Sequence, residues 1–309
     1  MKKGKYLITG SAGFIGINLV KNLYKKHDLI LVDDLSEGSL KNFPKHLRKK
    51  LIRKKIQDIN KLNTKKLDGI FHLAAQASVP LSLKQFYKSS SNNLLSAMRV
   101  FEFAKKYSVP VVYASSSAIY GNLPIGSDNV EKFSILSPYA QDKLTMENYA
   151  KIAHNIFKIS SVGLRLFNIY GPYQNSQSSY SAVVPIFISR MLKNLPITIN
   201  GGFQTRDFVY VEDVVEIMKR SMSKIQKKTT CQNLNLGTGR SIRIDILFDL
   251  ISNKIGSKPK VIRKKLEKHD PKKSSGTFQK LNKFLNINKE YFTKIEDGLD
   301  ITIKHLKGV

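Results

Sequence analysis

Thr9-Gly10-Ser11-Ala12-Gly13-Phe14-Ile15-Gly16 is the stretch on which the fold turns. It closes an apolar run, Lys5 to Gly10, and opens a segment with helical spacing from Phe14 to about Lys26; a second apolar run, Leu29 to Asp33, follows. Strand, glycine turn, helix and strand make a βαβ unit. Glycines at 10, 13 and 16 let the turn tighten and let its backbone approach a pyrophosphate, whose charge then lies on the helix N-terminus. The second strand ends in Asp33 and Asp34, seventeen residues after Gly16. A carboxylate there accepts from an adenosine ribose 2′-hydroxyl and repels a 2′-phosphate. Glycines, position and acid agree on a dinucleotide, NAD in preference to NADP.

Outward from this unit, apolar and β-branched segments recur at Gly69–Ala74, Pro110–Ser115 and Ser160–Phe167, separated by helical stretches such as Gln85–Tyr107 and Tyr139–Ile156. Alternating strand and helix predicts an α/β fold, a doubly wound parallel (Rossmann) sheet with helices on both faces. After Asn168 the texture breaks up around Gly171-Pro172, Pro185 and Pro196, which predicts a smaller α/β lobe. The expected division is 1–168 for the sheet domain, with 206–240 returning to it, and 169–205 plus 241–309 for the lobe.

The 309 residues carry 52 Lys+Arg against 23 Asp+Glu, a net +29 on a background 41% hydrophobic, which is globular with a strong sign bias. That bias admits nucleic-acid binding, a role at an anionic surface, or a plain lean toward lysine. One cysteine, Cys231, excludes an internal disulfide framework and any multi-cysteine metal site, so no metal is expected. No apolar run approaches the ~18 residues of a membrane span, and Tyr6–Gly10 is too short for a signal sequence behind Lys2, Lys3 and Lys5. A cytoplasmic protein is the expectation.

Tyr139-Ala140-Gln141-Asp142-Lys143 is a YxxxK, and a helical (i, i+4) pair shares one face. Ser137-Pro138 supplies an N-cap and an N1 proline. A nearby ammonium is expected to bring the phenol down from ~10 toward the range of a general base. Ser115-Ser116-Ser117 follows a strand at its carboxyl end, where open α/β sheets place ligands, so a serine there can share a substrate hydroxyl with Tyr139.

With these residues the chain resembles the extended short-chain dehydrogenase/reductases of the nucleotide-sugar epimerase/dehydratase family, most of all UDP-sugar 4-epimerases. The likeness runs nearly end to end: TGSAGFIG at 9–16, VDDLS at 32–36, HLAAQASV at 72–79, ASSSAIYG at 114–121, SPYAQDK at 137–143, LRLFNIYGP at 164–172, TRDFVYVEDV at 205–214 and NLGTG at 235–239. It implies Ser116, Tyr139 and Lys143 as catalytic residues, with Lys143 also on the nicotinamide ribose. It implies NAD held by Gly10, Gly13, Phe14, Ile15, Gly16, Asp33, Asp34, Asp58, Ile59, Leu73, Ala74, Ala75, Gln76, Asn93, Ser115 and Phe167. Asn168, Val183, Val184, Asn200, Arg206 and Ser274 would meet a UDP-sugar. His72, at a buried strand end, is not expected to be a base, and Cys231 is expected to be a core thiol. A homodimer through the two long helices is a further family expectation.

Relatives that dehydrate or decarboxylate carry acids directly after the catalytic Ser/Thr; here Ser117 and Ala118 follow. The resemblance therefore implies 4-epimerisation. Aligned on Asp270 and Ser274, Glu267 stands where the family's diphosphate-gripping Arg is expected, with Lys264, Lys265 and Lys268 as point-charge substitutes. A small Ser274 leaves room for an N-acetyl group and favours UDP-GlcNAc/UDP-GalNAc over UDP-Glc/UDP-Gal. The alternatives are another NAD-dependent nucleotide-sugar enzyme, such as a UDP-glucuronate 4-epimerase, a dehydratase or a reductase, and third a non-catalytic NAD- or nucleic-acid-binding protein. No nucleic acid is expected, since the basic tract Lys41–Lys66 holds eleven bases, one acid and a single aromatic, Phe43.

Overall fold

A computed structural model describes residues 3–129, 131–175, 182–266 and 270–308. The chain folds into two compact units: Met1–Ile119, Ser137–Arg165 and Val215–Leu234 form the first, and Tyr120–Leu136, Leu166–Val214 and Asn235–Val309 the second. This differs from the expected division, since 120–136 joins the second unit and the returning piece is 215–234.

The first six strands in chain order are β1 (Lys5–Thr9), β2 (Asp28–Val32), β3 (Leu51–Ile52), β4 (Gly69–His72), β5 (Val111–Ser116) and β6 (Ser161–Leu166). After them come β7 (Asn168–Tyr170), β8 (Ile197–Asn200), β9 (Thr205–Tyr210), β10 (Cys231–Leu236), β11 (Ser241–Arg243), β12 (Val261–Lys264) and β13 (Lys273–Ser274). A seven-stranded parallel sheet runs in the order β10-β6-β5-β4-β1-β2-β3. β1 pairs in parallel with β2 (Leu7 opposite Ile30) and β4 (Leu7 opposite Ile70). Its core is continuous, with Leu7, Ile8, Ile70 and Val111 fully buried, as a strand covered on both faces requires. The strand order reverses beside β1, so the carboxyl ends of β1, β4 and β5 form the switch point where such sheets place ligands.

The helices of the first unit are α1 (Phe14–Leu23), α2 (Val79–Lys84), α3 (Phe86–Tyr107) and α4 (Pro138–Phe157). α3 buries Ala97, Val100, Phe101 and Ala104, and α4 buries Tyr139, Lys143, Met146, Ala150 and Ala153, each at helical spacing. Ser137 caps α4 by accepting from the Ala140 N–H at 3.2 Å, with Pro138 behind it. Ten of the eleven bases of Lys41–Lys66 are exposed. The eleventh, Arg48, is half-buried and donates to the Leu40 and Phe43 carbonyls at 2.7 and 3.4 Å. β3 escaped the sequence reading because two residues in a lysine-rich tract carry no periodicity.

The second unit holds a sheet of β11-β9-β13 with β7 also on β9, a β8-β12 pair, and the helices α5 (Val183–Leu192), α7 (Ile244–Ile255), α8 (Gln279–Leu285) and α9 (Ile295–Lys307). α6 (Val211–Ile225) begins in the second unit and ends in the first. Of the expected returning segment, only β10 joins the seven-stranded sheet. β9 does not, because its edges are taken by β7, β11 and β13. Segment 120–136 is stitched in by Asn235, which accepts from the Tyr120 hydroxyl at 2.7 Å and donates to the Gly126 and Thr277 carbonyls at 3.1 and 2.8 Å. No helix among the described residues is long and apolar enough to cross a membrane.

Candidate active site

The glycine turn is built by close approach. Gly10 has φ +68°, and a Cβ there would lie 2.6 Å from the Ala74 nitrogen; one at Gly16 would lie 2.0 Å from the Gly10 oxygen. Gly13 caps α1 in an extended conformation with no side-chain cap, so the first-turn N–H groups face the turn. Phe14 and Ile15 open the helix half-buried. The Asp33 carboxylate receives the Ala12 and Leu35 N–H groups, each at 2.8 Å, and burial raises its pKa while those bonds oppose the rise. Asp34 accepts from the Ser36 N–H and hydroxyl at 3.0 and 2.6 Å. A glycine cradle on an uncapped helix end, with a buried carboxylate at the end of β2, fits the pyrophosphate and adenosine ribose of NAD.

After β4, Leu73, Ala74, Ala75 and Gln76 are half-buried. Thr9, unnoticed in the sequence, holds this segment: its hydroxyl oxygen is 3.3 Å from both the Leu73 and Ala74 nitrogens and 2.7 Å from His72 Nδ1. Burial, with the Lys143 charge adding to it, pushes His72 down to about 3, so the ring is neutral and unsuited to be a base near pH 7. Asn93 on α3 clamps Gln76 by accepting from its N–H (2.8 Å) and donating to its carbonyl (3.2 Å). Asp58 is exposed and Ile59 buried next to it.

Ser116 ends β5, where its hydroxyl accepts from the Ala118 N–H at 3.1 Å and favours the ionised form of the Tyr139 phenol. Lys143 lies on the same face of α4, with Nζ 5.7 Å from the Tyr139 ring centre and 2.6 Å from the Ala114 carbonyl oxygen to which it donates. The expected lowering of the tyrosine by the lysine is not what the geometry gives. Burial raises the Tyr139 pKa, the Ser116 hydroxyl opposes it, and Asp142 adds to the rise. Burial likewise lowers Lys143 to about 8, against the pull of Asp142 and Glu147.

Ser115, expected to line the cofactor, has its side chain engaged elsewhere. Its hydroxyl donates to Glu147 at 2.6 Å, and Glu147 forms a two-pronged ion pair with Arg165 (2.9 and 2.7 Å) whose side chains are 2% and 4% exposed. Neither Glu147, Arg165 nor Asp142 was singled out in the sequence, although Asp142 lies within the YxxxK itself.

In the second unit, Arg206 on β9 is opposite Ser274 on β13. The Arg206 guanidinium is ion-paired to Asp270 and donates to the Thr205 carbonyl at 2.8 Å. Asn168 on β7 donates to the Asp207 carbonyl at 3.4 Å. These three residues therefore sit on neighbouring strands. Val183 is half-buried on α5 and Asn200 exposed on β8, while Val184 is core, 1% exposed. Phe167 packs edge-on against Phe278 at 5.3 Å. Glu267 and Lys268 lie outside the described residues; Lys264 and Lys265 are exposed.

The family model for the NAD dependent epimerase/dehydratase family matches residues 6–237. A putative UDP-glucose 4-epimerase of Methanocaldococcus jannaschii is 34% identical over 266 residues, 83% of this chain and 84% of that protein. The structure of a UDP-N-acetylglucosamine 4-epimerase from Methanobrevibacter ruminantium M1, in complex with UDP-N-acetylmuramic acid, superposes with a TM-score of 0.91 at 32% identity, covering 100% and 99% of the two chains. That of a Thermotoga maritima UDP-glucose 4-epimerase with UDP-glucose gives 0.88 at 28% identity over 98% and 99%. With the glycine turn, the NLGTG segment and the Ser–Tyr–Lys cluster all inside or beside the matched span, the chain belongs to the NAD-dependent epimerase/dehydratase family.

Proposed function

We propose that the protein is a UDP-sugar 4-epimerase with Tyr139 as its base. The observation that carries this reading is the burial of Ser116, Tyr139 and Lys143, with the lysine Nζ 5.7 Å from the tyrosine ring centre, and with Ser117 and Ala118, no carboxylate, following Ser116 in the chain. NAD, when bound, takes up and returns the C4 hydride. In its phenolate form Tyr139 takes the O4 proton while Ser116 holds the same oxygen, with Lys143 beside Tyr139 on the same face of α4. The phenol returns its proton to O4 once the sugar presents its other face. An acid after Ser116 would serve proton transfer at a carbon other than C4; its lack favours epimerisation over dehydration.

Asn168, Arg206, Ser274, Asn200 and Val183 are the residues this reading assigns to the sugar nucleotide. Ser274 is small and half-buried, and the N-acetylglucosamine enzyme among the similar structures supports UDP-GlcNAc/UDP-GalNAc as the preferred pair. Product analysis after incubation with UDP-GlcNAc, UDP-glucose and UDP-glucuronate tests this. C4 epimers, fastest from the acetylated sugar, are expected, whereas a 4-keto-6-deoxy sugar or a pentose would overturn it. The exposed Phe86, Tyr87, Met98, Ile152 and Ile156 of α3 and α4 support a homodimer through these helices, which light scattering on the purified protein reads directly.

A further inference from the structure

Asp142 is the one acid inside the YxxxK, and it is buried, only 4% exposed. A buried carboxylate carries a heavy desolvation penalty unless its charge is answered. Its hydrogen-bond partner is the Asn93 amide, which donates to Oδ2 at 3.0 Å. The same amide nitrogen donates to the Gln76 carbonyl, and Asn93 Oδ1 accepts from the Gln76 N–H. Gln76 in turn accepts from the Ser89 hydroxyl at 2.8 Å and donates to the Ser78 carbonyl at 3.1 Å. Asp142 is thus the buried α4 end of a continuous hydrogen-bonded chain reaching the segment after β4.

Lys143 follows Asp142 in the chain; its side chain is 6% exposed, its Nζ has the neutral Ala114 carbonyl as its hydrogen-bond partner, and the Asp142 charge favours its protonated form. The other ionisable groups around Lys143 leave Asp142 as the main counter-charge. Glu147 on α4 is already paired with Arg165 on β6. His72 on β4 is neutral, and Tyr139 on α4 is protonated at rest. On α2 and α3, Lys84, Lys88, Glu102, Lys105 and Lys106 are exposed, and Arg99 pairs with Glu102.

We propose that Asp142 is a positioning residue of the reaction, fastening the Gln76 segment to α4 through Asn93 and supplying the negative charge against which Lys143 keeps its proton. This rests on the reading of Tyr139 and Lys143 given above. A negative group beside both residues disfavours the phenolate and favours the ammonium, so it raises the pH at which each loses its proton; the pair titrates as a coupled unit. Removing the charge displaces both in the same direction.

Asp142→Asn keeps an oxygen for the Asn93 amide and removes only the charge. Two measurements read it. With ε-13C-labelled lysine, the Lys143 resonance, assigned by its loss in Lys143→Arg, is expected to titrate at about 8 in the parent and about one pH unit lower in Asp142→Asn. The pH profile of kcat/KM is expected to move toward acid as a whole by a similar amount. Asn93→Ala, which cuts the chain but keeps the charge, is expected to lower the maximum without moving the profile. An unmoved Lys143 titration in Asp142→Asn, or a lowered profile with unmoved limbs, overturns the proposal. Should that variant not fold, Asp142→Ser with the same titration decides it. A parent that epimerises no UDP-sugar while its Lys143 titration responds to Asp142 sinks the epimerase reading and leaves the electrostatic role standing.

Discussion

Replacing Arg165 by Met tests how the floor of the site is held. The Glu147 carboxylate receives three hydrogen bonds, two from Arg165 (2.9 and 2.7 Å) and one from Ser115 (2.6 Å), in a setting almost closed to water. Methionine matches the length of the arginine stem but leaves the carboxylate with the Ser115 hydroxyl alone, and stranding one member of a buried ion pair costs about 3–5 kcal/mol. That is a large share of a typical folding free energy of about 5–15 kcal/mol. At roughly 2–4 °C per kcal/mol, the melting temperature falls by on the order of 10 °C. Removing both charges, Glu147→Leu with Arg165→Met, restores stability to within about 1 kcal/mol, the remainder being the Ser115 hydroxyl that has lost its acceptor. The deficit of the single variant also depends on pH. An unpaired buried carboxyl has a folded pKa above its unfolded one, so the folded state binds the proton first and the deficit shrinks as pH drops from 7 toward 5. Thermal unfolding of parent, single and double variants at both pH values checks this. Single and double variants equally unstable at pH 7 would refute the reasoning and make the loss one of packing.

Gly16→Ala drives a methyl toward the Gly10 carbonyl oxygen at 2.0 Å and is expected to abolish NADH binding, read by cofactor fluorescence; unchanged affinity would remove the glycine turn from the cofactor site. Tyr139→Phe keeps the ring and loses the proton acceptor, so kcat is expected to drop about 10²–10⁴-fold with cofactor content unchanged in the absorbance spectrum. Ser274→Tyr is expected to lower kcat/KM for UDP-GlcNAc more than for UDP-glucose, measured by paired epimerisation assays; equal losses would remove Ser274 from the sugar pocket.

The βαβ unit, its glycines and the capped helix of Tyr139 were legible because each is a local signal: a turn, a period, a capping residue within a few positions. The seven-stranded sheet followed from the alternation of such signals. What stayed hidden depends on partners far apart in the chain. Asp142 acquires meaning from Asn93, 49 residues away, and Arg206 from Asp270, 64 residues away. The partner of the Ser115 hydroxyl, Glu147, lies 32 residues away. The direction of the Tyr139 shift was misjudged for the same reason, since a sequence shows the neighbouring lysine but not the burial that raises the phenol. The second-unit membership of 120–136 rests on Asn235 and on residues 275–277, which no window around position 126 contains.

The stitching of that segment has a consequence for how the molecule is made. Gly126 exchanges backbone hydrogen bonds with Ser275 and Thr277, each at 2.9 Å, and Asp128 accepts from the Thr277 hydroxyl at 3.2 Å, about 150 residues downstream. Strands β1 to β5 and the helices among them can pair as soon as they leave the ribosome. Gly126 and Asp128, although synthesised next, meet Ser275 and Thr277 only when the last third of the chain emerges. Closing so long a loop is slow, and domains rich in such contacts fold late. The second unit therefore completes only near the end of synthesis, and chains that stop before Asn235 leave the Tyr120 hydroxyl and the Gly126 carbonyl without the side chain that holds them.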